Sequence, residues 1–540
     1  MMLSLASALS ALFFALALAL PSTTNTALLP IASLPYGTFQ GSYSHTYNIT
    51  YFQRIPFAAP PVGPLRFRGP QPPSPIPSNS IYDSTRSFDM CPQRTVNGSE
   101  DCLYLGLYCR PWSPGQPLRP VVVVFYGGGF IQGSASFSLP PSAYPVLNVT
   151  EGEGMVFIYP NYRTNAFGFL AGKEVVADEG SDTNVGLLDQ RAAIRWANLY
   201  AKEFGGDPER VSIWGQSAGG GSVVAQVIAD QDYDGQKGGR FQRALASSPY
   251  WAKTYDAESP EAQWNYDTLV ERAGCGGEKD TLGCLKKADV QVIRDASLGI
   301  TTSHQYTTSS YTWGPVVDRR FLKKRLSEFK KGEGNAEVAF GMYNTHEGET
   351  FVPGGLGSEA GSGGFNGTDA GFDAWLAGFL PGLRKCERDA VRKYYPKTGS
   401  SENIEAYSGW RTAAGLIYRD TVLACPAYWM AGNAPDGSWL GEYAIAPAKH
   451  ASDTYWWNQV NVAQQTDPFH YHGYTGAFAS FFMTGDPNKL KLTNSSVPGV
   501  PALNSGKEFV INEQGFANTD IAQLSKRCNF WRKLASKIPI

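Results

Sequence analysis

Ser217 lies in Gly215-Gln216-Ser217-Ala218-Gly219, directly after a short apolar run, Val211 to Trp214, and ahead of a second, Val223 to Ile228. The first run reads as a buried strand and the second as a helix. On a sharp strand-to-helix turn a serine hydroxyl stands clear of the backbone, at a helix N-terminus that favours developing negative charge. The chemistry open to it is nucleophilic attack on a carbonyl carbon. A five-residue pattern is weak evidence in a chain with 58 glycines. A second pattern strengthens it: Tyr126-Gly127-Gly128-Gly129-Phe130 leaves the apolar run Val121 to Phe125. Consecutive glycines let backbone N–H groups approach a substrate closely. The amides of Gly128, Gly129 and Ala218 would form an oxyanion hole for a tetrahedral intermediate. Such a serine also needs an acid and then a histidine later in the chain.

These groups must be held by a framework, and its elements are legible. Val121 to Phe125, Met155 to Tyr159 and Val211 to Trp214 are continuous apolar runs, as expected of parallel strands covered on both faces. Ala244 to Ala246 and Glu337 to Gly341 are shorter candidates. Asn184 to Phe204 carries Leu188, Ala192, Trp196 and Leu199 at helical spacing, and Gly205-Gly206 stops the helix. Strands alternating with helices imply an α/β fold with a large, mostly parallel central sheet flanked by helices. Leu34 to Phe57 reads as short strands and hairpins, and the proline-rich stretches Ile55 to Phe67 and Pro72 to Pro77 as ordered crossings. From about 255 to 440, helical patterns broken by Gly/Ser-rich loops such as Gly354 to Gly367 read as insertions carried on the sheet.

The 540 residues exceed one average domain, and the formal net charge of −2 gives no reason to expect nucleic acid or an anionic membrane surface as a partner. Leu3 to Leu20 is almost wholly apolar and precedes Pro21, which reads as a signal peptide over about 1–20 with Ala17-Leu18-Ala19 as a cleavage site. No Lys or Arg precedes that run, so a signal anchor is the alternative reading. No other stretch is apolar for the length of a membrane span, about 18 residues or more. The eight cysteines and the sequons at Asn48, Asn97, Asn148, Asn366 and Asn494 fit an oxidising secretory route to a secreted protein. No H-E-x-x-H spacing and no P-loop lysine occurs, so no metal or cofactor is expected.

The motifs together resemble the type-B carboxylesterases, the group of cholinesterases and fungal lipase-like esterases. Phe204-Gly205-Gly206 followed by Val211 to Gly219 is similar to that family's serine signature, and Glu100-Asp101-Cys102-Leu103-Tyr104-Leu105 to its second signature. Gly106 departs from it, standing where the family prefers Asp, Asn or Ser. Ile55 to Phe67, Asn161-Tyr162-Arg163, Phe167-Gly168-Phe169, Asp189-Gln190 and Arg527-Cys528-Asn529-Phe530-Trp531 extend the likeness. The resemblance implies an α/β-hydrolase fold, a single catalytic domain over 21–540, and hydrolysis of small-molecule carboxylic esters.

It also implies the serine's partners. Glu347 before Gly348 resembles the family's acid, while His346 and Glu349, flanking it in an extended loop, read as surface residues. Two histidines compete for the base: His472-Gly473-Tyr474 resembles the cholinesterase form, and His450-Ala451-Ser452-Asp453 a fungal form with Ala for Gly. The family's intervals from the acid and to the marker Thr484-Gly485-Asp486-Pro487-Asn488 favour His450; His472 is the alternative and His470 a third. His45 and His304 read as surface residues. The family's disulfides map onto Cys91 with Cys102, Cys275 with Cys284 and Cys425 with Cys528, leaving Cys109 and Cys386 unassigned.

The Cys91–Cys102 loop is where the resembled lipases carry a lid and cholinesterases a choline-binding Trp; here Pro92 to Asp101 has room for neither. A lidless esterase for soluble esters of modest size is expected. Trp251, Trp313, Trp456 and Trp457 are candidates for an apolar gorge or for core, and Pro249, where the family usually has Gly, for reshaping the site behind the serine. A true lipase, or a catalytically silent binding protein on the same fold, are the competing functions.

Overall fold

The computed structural model describes residues 29–540 apart from 137, 151, 153, 234, 236, 237, 252, 309–311, 363 and 492–495; for 301–308 it describes the backbone alone. The leader segment, the sequon at Asn494 and the side chain of His304 thus lie outside the described residues.

The apolar runs form the middle of an 11-stranded sheet. In chain order its strands are β1 Ser42–Ser44, β2 Ile49–Pro56, β3 Tyr104–Cys109, β4 Arg119–Phe125, β5 Val156–Pro160, β6 Gly206–Gln216, β7 Arg243–Ser247, β8 Val338–Asn344, β9 Gly437–Tyr443, β10 Lys507–Asn512 and β11 Gly515–Asp520. Across the sheet they lie in the order β11-β10-β9-β8-β7-β6-β4-β5-β3-β2-β1. From β5 to β10 every neighbouring pair is parallel, while β11 at one margin and β3, β2 and β1 at the other run antiparallel. Burial matches the pairing, for Val121, Val122, Val123 and all of β5 are inaccessible, as a strand covered on both faces must be.

Two helices fix the serine's side of the sheet. Helix α1, Val185–Tyr200, packs beside β4 and β6, and α2, Ala218–Ile228, follows β6 directly. Leu188 and Trp196 of α1 are buried as the spacing predicts, but Leu199 is 58% exposed. The chain tightens there into a 3-10 turn, Ala201–Phe204, and Phe204 takes the inward place before Gly205 turns at φ +80°. On the opposite face Trp214 packs against Trp457, Phe478 and Phe482 at ring separations of 4.9, 5.7 and 5.2 Å. Trp251, Trp313, Trp456 and Trp457 are all buried and belong to the core.

The span from about 255 to 440 is largely helical, including α3, Trp410–Arg419, and returns to the sheet as β8. β3 went unread in the sequence, where its residues served only as a motif, although all six residues are buried. Cys91–Cys102, Cys275–Cys284 and Cys425–Cys528 are bonded, whereas Cys109 is buried and free and Cys386 exposed and free. The Cys425–Cys528 bond ties the C-terminal helix α4, Ala522–Leu534, to the body. Beside it Arg527 pairs with Asp420 at 2.6 Å and Glu402 at 2.9 Å, all buried. Among the described residues no helix is long and apolar enough to cross a membrane.

Because the Cys425–Cys528 bond closes a loop of 103 residues, the chain-entropy account assigns it about 5 kcal/mol of stability. A Cys425→Ala/Cys528→Ala protein should show a clearly lower midpoint in urea. An unchanged midpoint would mean that the buried ion pairs and the packing of α4 already fix the C-terminus.

Candidate active site

Ser217 joins the last residue of β6 to the first of α2 with φ +58° and ψ −125°, a conformation a non-glycine residue adopts only when its surroundings force it. Three backbone hydrogen bonds do so. Its N–H donates to the Ser247 carbonyl at 3.0 Å, and its own carbonyl accepts from Gly221 at 2.9 Å and Tyr250 at 2.8 Å. The flanking glycines are required by proximity. A Cβ at Gly215 would stand 2.2 Å from the Gly219 carbonyl carbon, and one at Gly219 would stand 2.1 Å from the Phe125 carbonyl oxygen. Pro249 closes the back of the turn, its Cα 2.8 Å from where a Cβ on Gly220 would lie.

The Ser217 hydroxyl meets one imidazole. His450 Nε2 lies 2.8 Å from Ser217 Oγ, and His450 Nδ1 lies 3.0 Å from Glu347 Oε2. The carboxylate can only accept, so Nδ1 carries the proton toward Glu347 and Nε2 is free to accept from the serine. Glu347 is wholly buried and the His450 side chain is 11% exposed. The histidine sits in a tight turn in which Ala448 and Ala451 have φ +47° and +69°. The Phe351 ring braces the imidazole edge-on at 4.9 Å.

The other histidines go elsewhere. His470 is engaged by Asp467 at 2.7 Å and the Asn512 carbonyl at 2.9 Å. His472 lies in the Tyr471–Thr475 π-turn beside the Tyr471 ring and a cavity of about 320 Å³ that it shares with Tyr144 and Gln464. His45 is exposed. The acid loop corrects one expectation. Glu347–Thr350 is a 3-10 turn rather than an extended loop, so residues three apart come to the same side. His346 and Glu349 are half-buried and pair with each other at 3.1 Å, not free surface residues.

The glycine triplet lies against the elbow, since a Cβ at Gly127 would stand 3.0 Å from Ser217 Cβ. Gly128 and Gly129 have φ +115° and +65°. No described residue accepts a hydrogen bond from either N–H. Among the described residues no group of three or more His, Cys, Asp and Glu side chains is disposed to hold a metal ion.

Two supports of the site were given no structural role by the sequence, Asp453 entering it only as the end of the His450 motif. Asp453, buried, accepts from Asn344 at 3.2 Å and Trp457 at 3.1 Å, joining the end of β8 to the turn that carries His450. Burial pushes its carboxyl upward. Thr345, two residues before Glu347, donates to Glu442 at 2.6 Å and accepts at its carbonyl from Arg419 at 3.2 Å. Behind it the Tyr343 hydroxyl lies 3.1 Å from Glu442 and 3.0 Å from Glu508. Burial raises the Glu508 carboxyl well above the usual carboxylate range, and the charges of Glu442 and Glu402 push the same way.

Comparisons with known proteins bear on the family and the fold. Residues 29–531 match the model of the Carboxylesterase family. A secreted lipase of Arthroderma benhamiae is 29% identical over 463 residues, 81% of this chain and 83% of that one. Carboxylesterase patB of Penicillium expansum is 26% identical over 579 aligned residues, 95% and 97% of the two chains. In three dimensions the crystal structure of Aspergillus niger EstA superposes with a TM-score of 0.80 at 23% identity, covering 95% of this chain and 99% of that one. At that identity the likeness bears on the fold, an α/β hydrolase.

A carboxyl raised in the folded state stabilises the fold fully only below its unfolded value, and the contribution fades as pH climbs toward the folded value. Glu508→Gln, uncharged at every pH, should therefore lose less thermal stability than the wild type as pH rises from the ordinary glutamate value, about 4.3, into the alkaline range. Melting curves across that range test it. Parallel losses in both proteins would show that Glu508 is already ionised in the fold.

Proposed function

Because the chain belongs to the carboxylesterase family and is an esterase, we propose that it cleaves carboxylic esters through an acyl-enzyme on Ser217, with His450 as general base and Glu347 as its orienting acid. The observation that carries this reading is the unbroken chain of contacts from Ser217 Oγ through both ring nitrogens of His450 to a buried carboxylate. Ser217 attacks the ester carbonyl as His450 takes its proton, and Glu347 stabilises the imidazolium that forms. The amides of Gly128, Gly129 and Ala218 receive the oxyanion, each such donor lowering the barrier by about 3 kcal/mol. The protonated histidine then gives its proton to the departing alcohol, and a water activated by the same ring releases the acid.

The catalytic body is taken as one domain over 21–540, with 1–20 as a removed signal peptide. Three disulfides and relatives named as secreted lipases support secretion. Asn48, Asn97 and Asn148 are exposed and Asn366 half-exposed, open to glycan attachment. The substrate is a soluble ester of modest size, since the Cys91–Cys102 loop spans 11 positions and carries no lid. The names of the fungal relatives favour a second reading, a true lipase.

Labelling by a fluorophosphonate should occur in the wild type and vanish in Ser217→Ala. His450→Ala should lower kcat on the order of 10⁶-fold, with His472→Ala close to wild type; the reverse pattern would transfer the base to His472. Rates measured as a short-chain triglyceride passes its solubility limit should rise smoothly. A jump at the emulsion boundary would replace the esterase reading with the lipase one.

A further inference from the structure

The loop closed by Cys91–Cys102 is too short to cover the site, yet it is built tightly against the glycine triplet. Gln93, wholly buried inside that loop, faces Gly133 with its carboxamide. Its Oε1 accepts from the Gly133 N–H at 2.7 Å, while its Nε2 donates to the Gly133 carbonyl at 2.8 Å and to the Cys91 carbonyl at 3.1 Å. One side chain thus satisfies both polar groups of one residue, as a neighbouring strand would. Two more buried amides repeat the connection. Asn165 donates through its side chain to the Pro92 carbonyl at 2.8 Å and through its backbone N–H to the Phe130 carbonyl at 2.7 Å. Asn161 accepts from the Ala135 N–H at 2.9 Å and donates to the Cys102 carbonyl at 3.0 Å.

The other end of the triplet loop is clamped as well. The rings of Tyr126 and Tyr162 stack at 4.0 Å and 11°, and each hydroxyl donates to the other residue's carbonyl, at 2.5 and 2.7 Å. The two ends meet, for a Cβ on Gly133 would stand 2.4 Å from the Tyr126 ring and 2.4 Å from the Gly127 carbonyl oxygen. Between them Gly128 and Gly129 hold positive φ, where small changes in torsion swing their N–H vectors.

We propose that the Cys91–Cys102 loop is a strut for the oxyanion hole, and that Gln93 is a positioning residue aiming the N–H groups of Gly128 and Gly129 through Gly133. This rests on the oxyanion role assigned above. Without the carboxamide, a buried N–H and a buried carbonyl lose their partners and the loop must shift to find others. A displacement near 1 Å in a group that stabilises a transition state costs on the order of 100-fold in rate.

The test uses the full-length enzyme with Gln93→Met, which keeps length and removes every carboxamide hydrogen bond, and Gln93→Glu, which keeps the acceptor and sets a second oxygen against the Gly133 and Cys91 carbonyls. A soluble p-nitrophenyl ester gives kcat and KM; a trifluoromethyl ketone, bound as an anionic hemiketal, reports the oxyanion hole directly. Both variants should lower kcat tenfold to 100-fold with KM within about twofold, and weaken ketone binding by the factor lost in kcat/KM. The pH dependence of kcat/KM, set by the histidine, should stay put. A lower melting temperature with wild-type kcat and ketone affinity well below it would make Gln93 a brace of the disulfide loop and overturn the proposal. If Gln93→Met does not fold, Tyr162→Phe, which frees the opposite end, must show the same paired loss or the strut fails. A wild type blind to the ketone would instead remove the oxyanion assignment, and the strut with it.

Discussion

Ser217 holds a backbone conformation, φ +58° and ψ −125°, that costs about 1–3 kcal/mol for a residue with a side chain. The structure supplies that energy by making no other path sterically available. β6 must deliver the chain into α2 within one residue, while Gly215 and Gly219 lie so close that any Cβ would strike backbone. The hydrogen bond to the Ser247 carbonyl and those from Gly221 and Tyr250 then leave the turn no alternative geometry. The same crowding sets the place of the glycine triplet, because Gly219 abuts the end of β4 where that triplet begins. Ser217 and the glycine triplet are therefore positioned by one event, the docking of β4 beside β6.

The contact between Glu347 and His450 is organised on a different principle. Glu347 and His450 come from loops after β8 and β9, neighbours in the sheet but far apart in the chain. Both loops are pinned from below by buried polar groups: Asp453 links the end of β8 to the histidine turn, and Glu442 with Arg419 grips Thr345. Buried ionic groups contribute little net stability after desolvation, but they fix direction, and direction is what a proton-transfer pair requires. The same reasoning applies to Arg163 and Asp189, a buried pair at 2.7 Å that anchors the segment bearing Asn161 and Asn165.

What could be read in the chain and what could not divide along the same line. The elbow and the glycine triplet are local: small residues at fixed spacing after an apolar run admit few structures, and the fold class followed from the same runs. The order serine, acid, histidine and a family likeness were enough to name Glu347 and His450, which the fold brings together with Ser217. Properties that depend on partners far along the chain were invisible or misjudged. Leu199 follows the helical stripe yet faces solvent, because Phe204 in the next turn claims the interior. β3, Tyr-Leu-Gly-Leu-Tyr-Cys, shows no polar–apolar alternation, being buried on both faces. Glu349 and His346 pair because the chain coils where alternation in an extended loop was expected. Gln93, Asn161 and Asn165 are ordinary amides in a sequence and acquire meaning only from the carbonyls they meet.

The antiparallel margins of the sheet bear on a different matter, the colloidal behaviour of a concentrated solution. A parallel sheet ending in a long apolar strand would offer its open rim to a second molecule. Here the rims are Ser42–Ser44, three residues long, and Gly515–Asp520, whose outer half reads Asn518, Thr519, Asp520. Brevity at one border and polar side chains at the other leave the apolar middle strands with no open seam. The aggregation-prone part of this chain is thereby fenced off by its least regular strands.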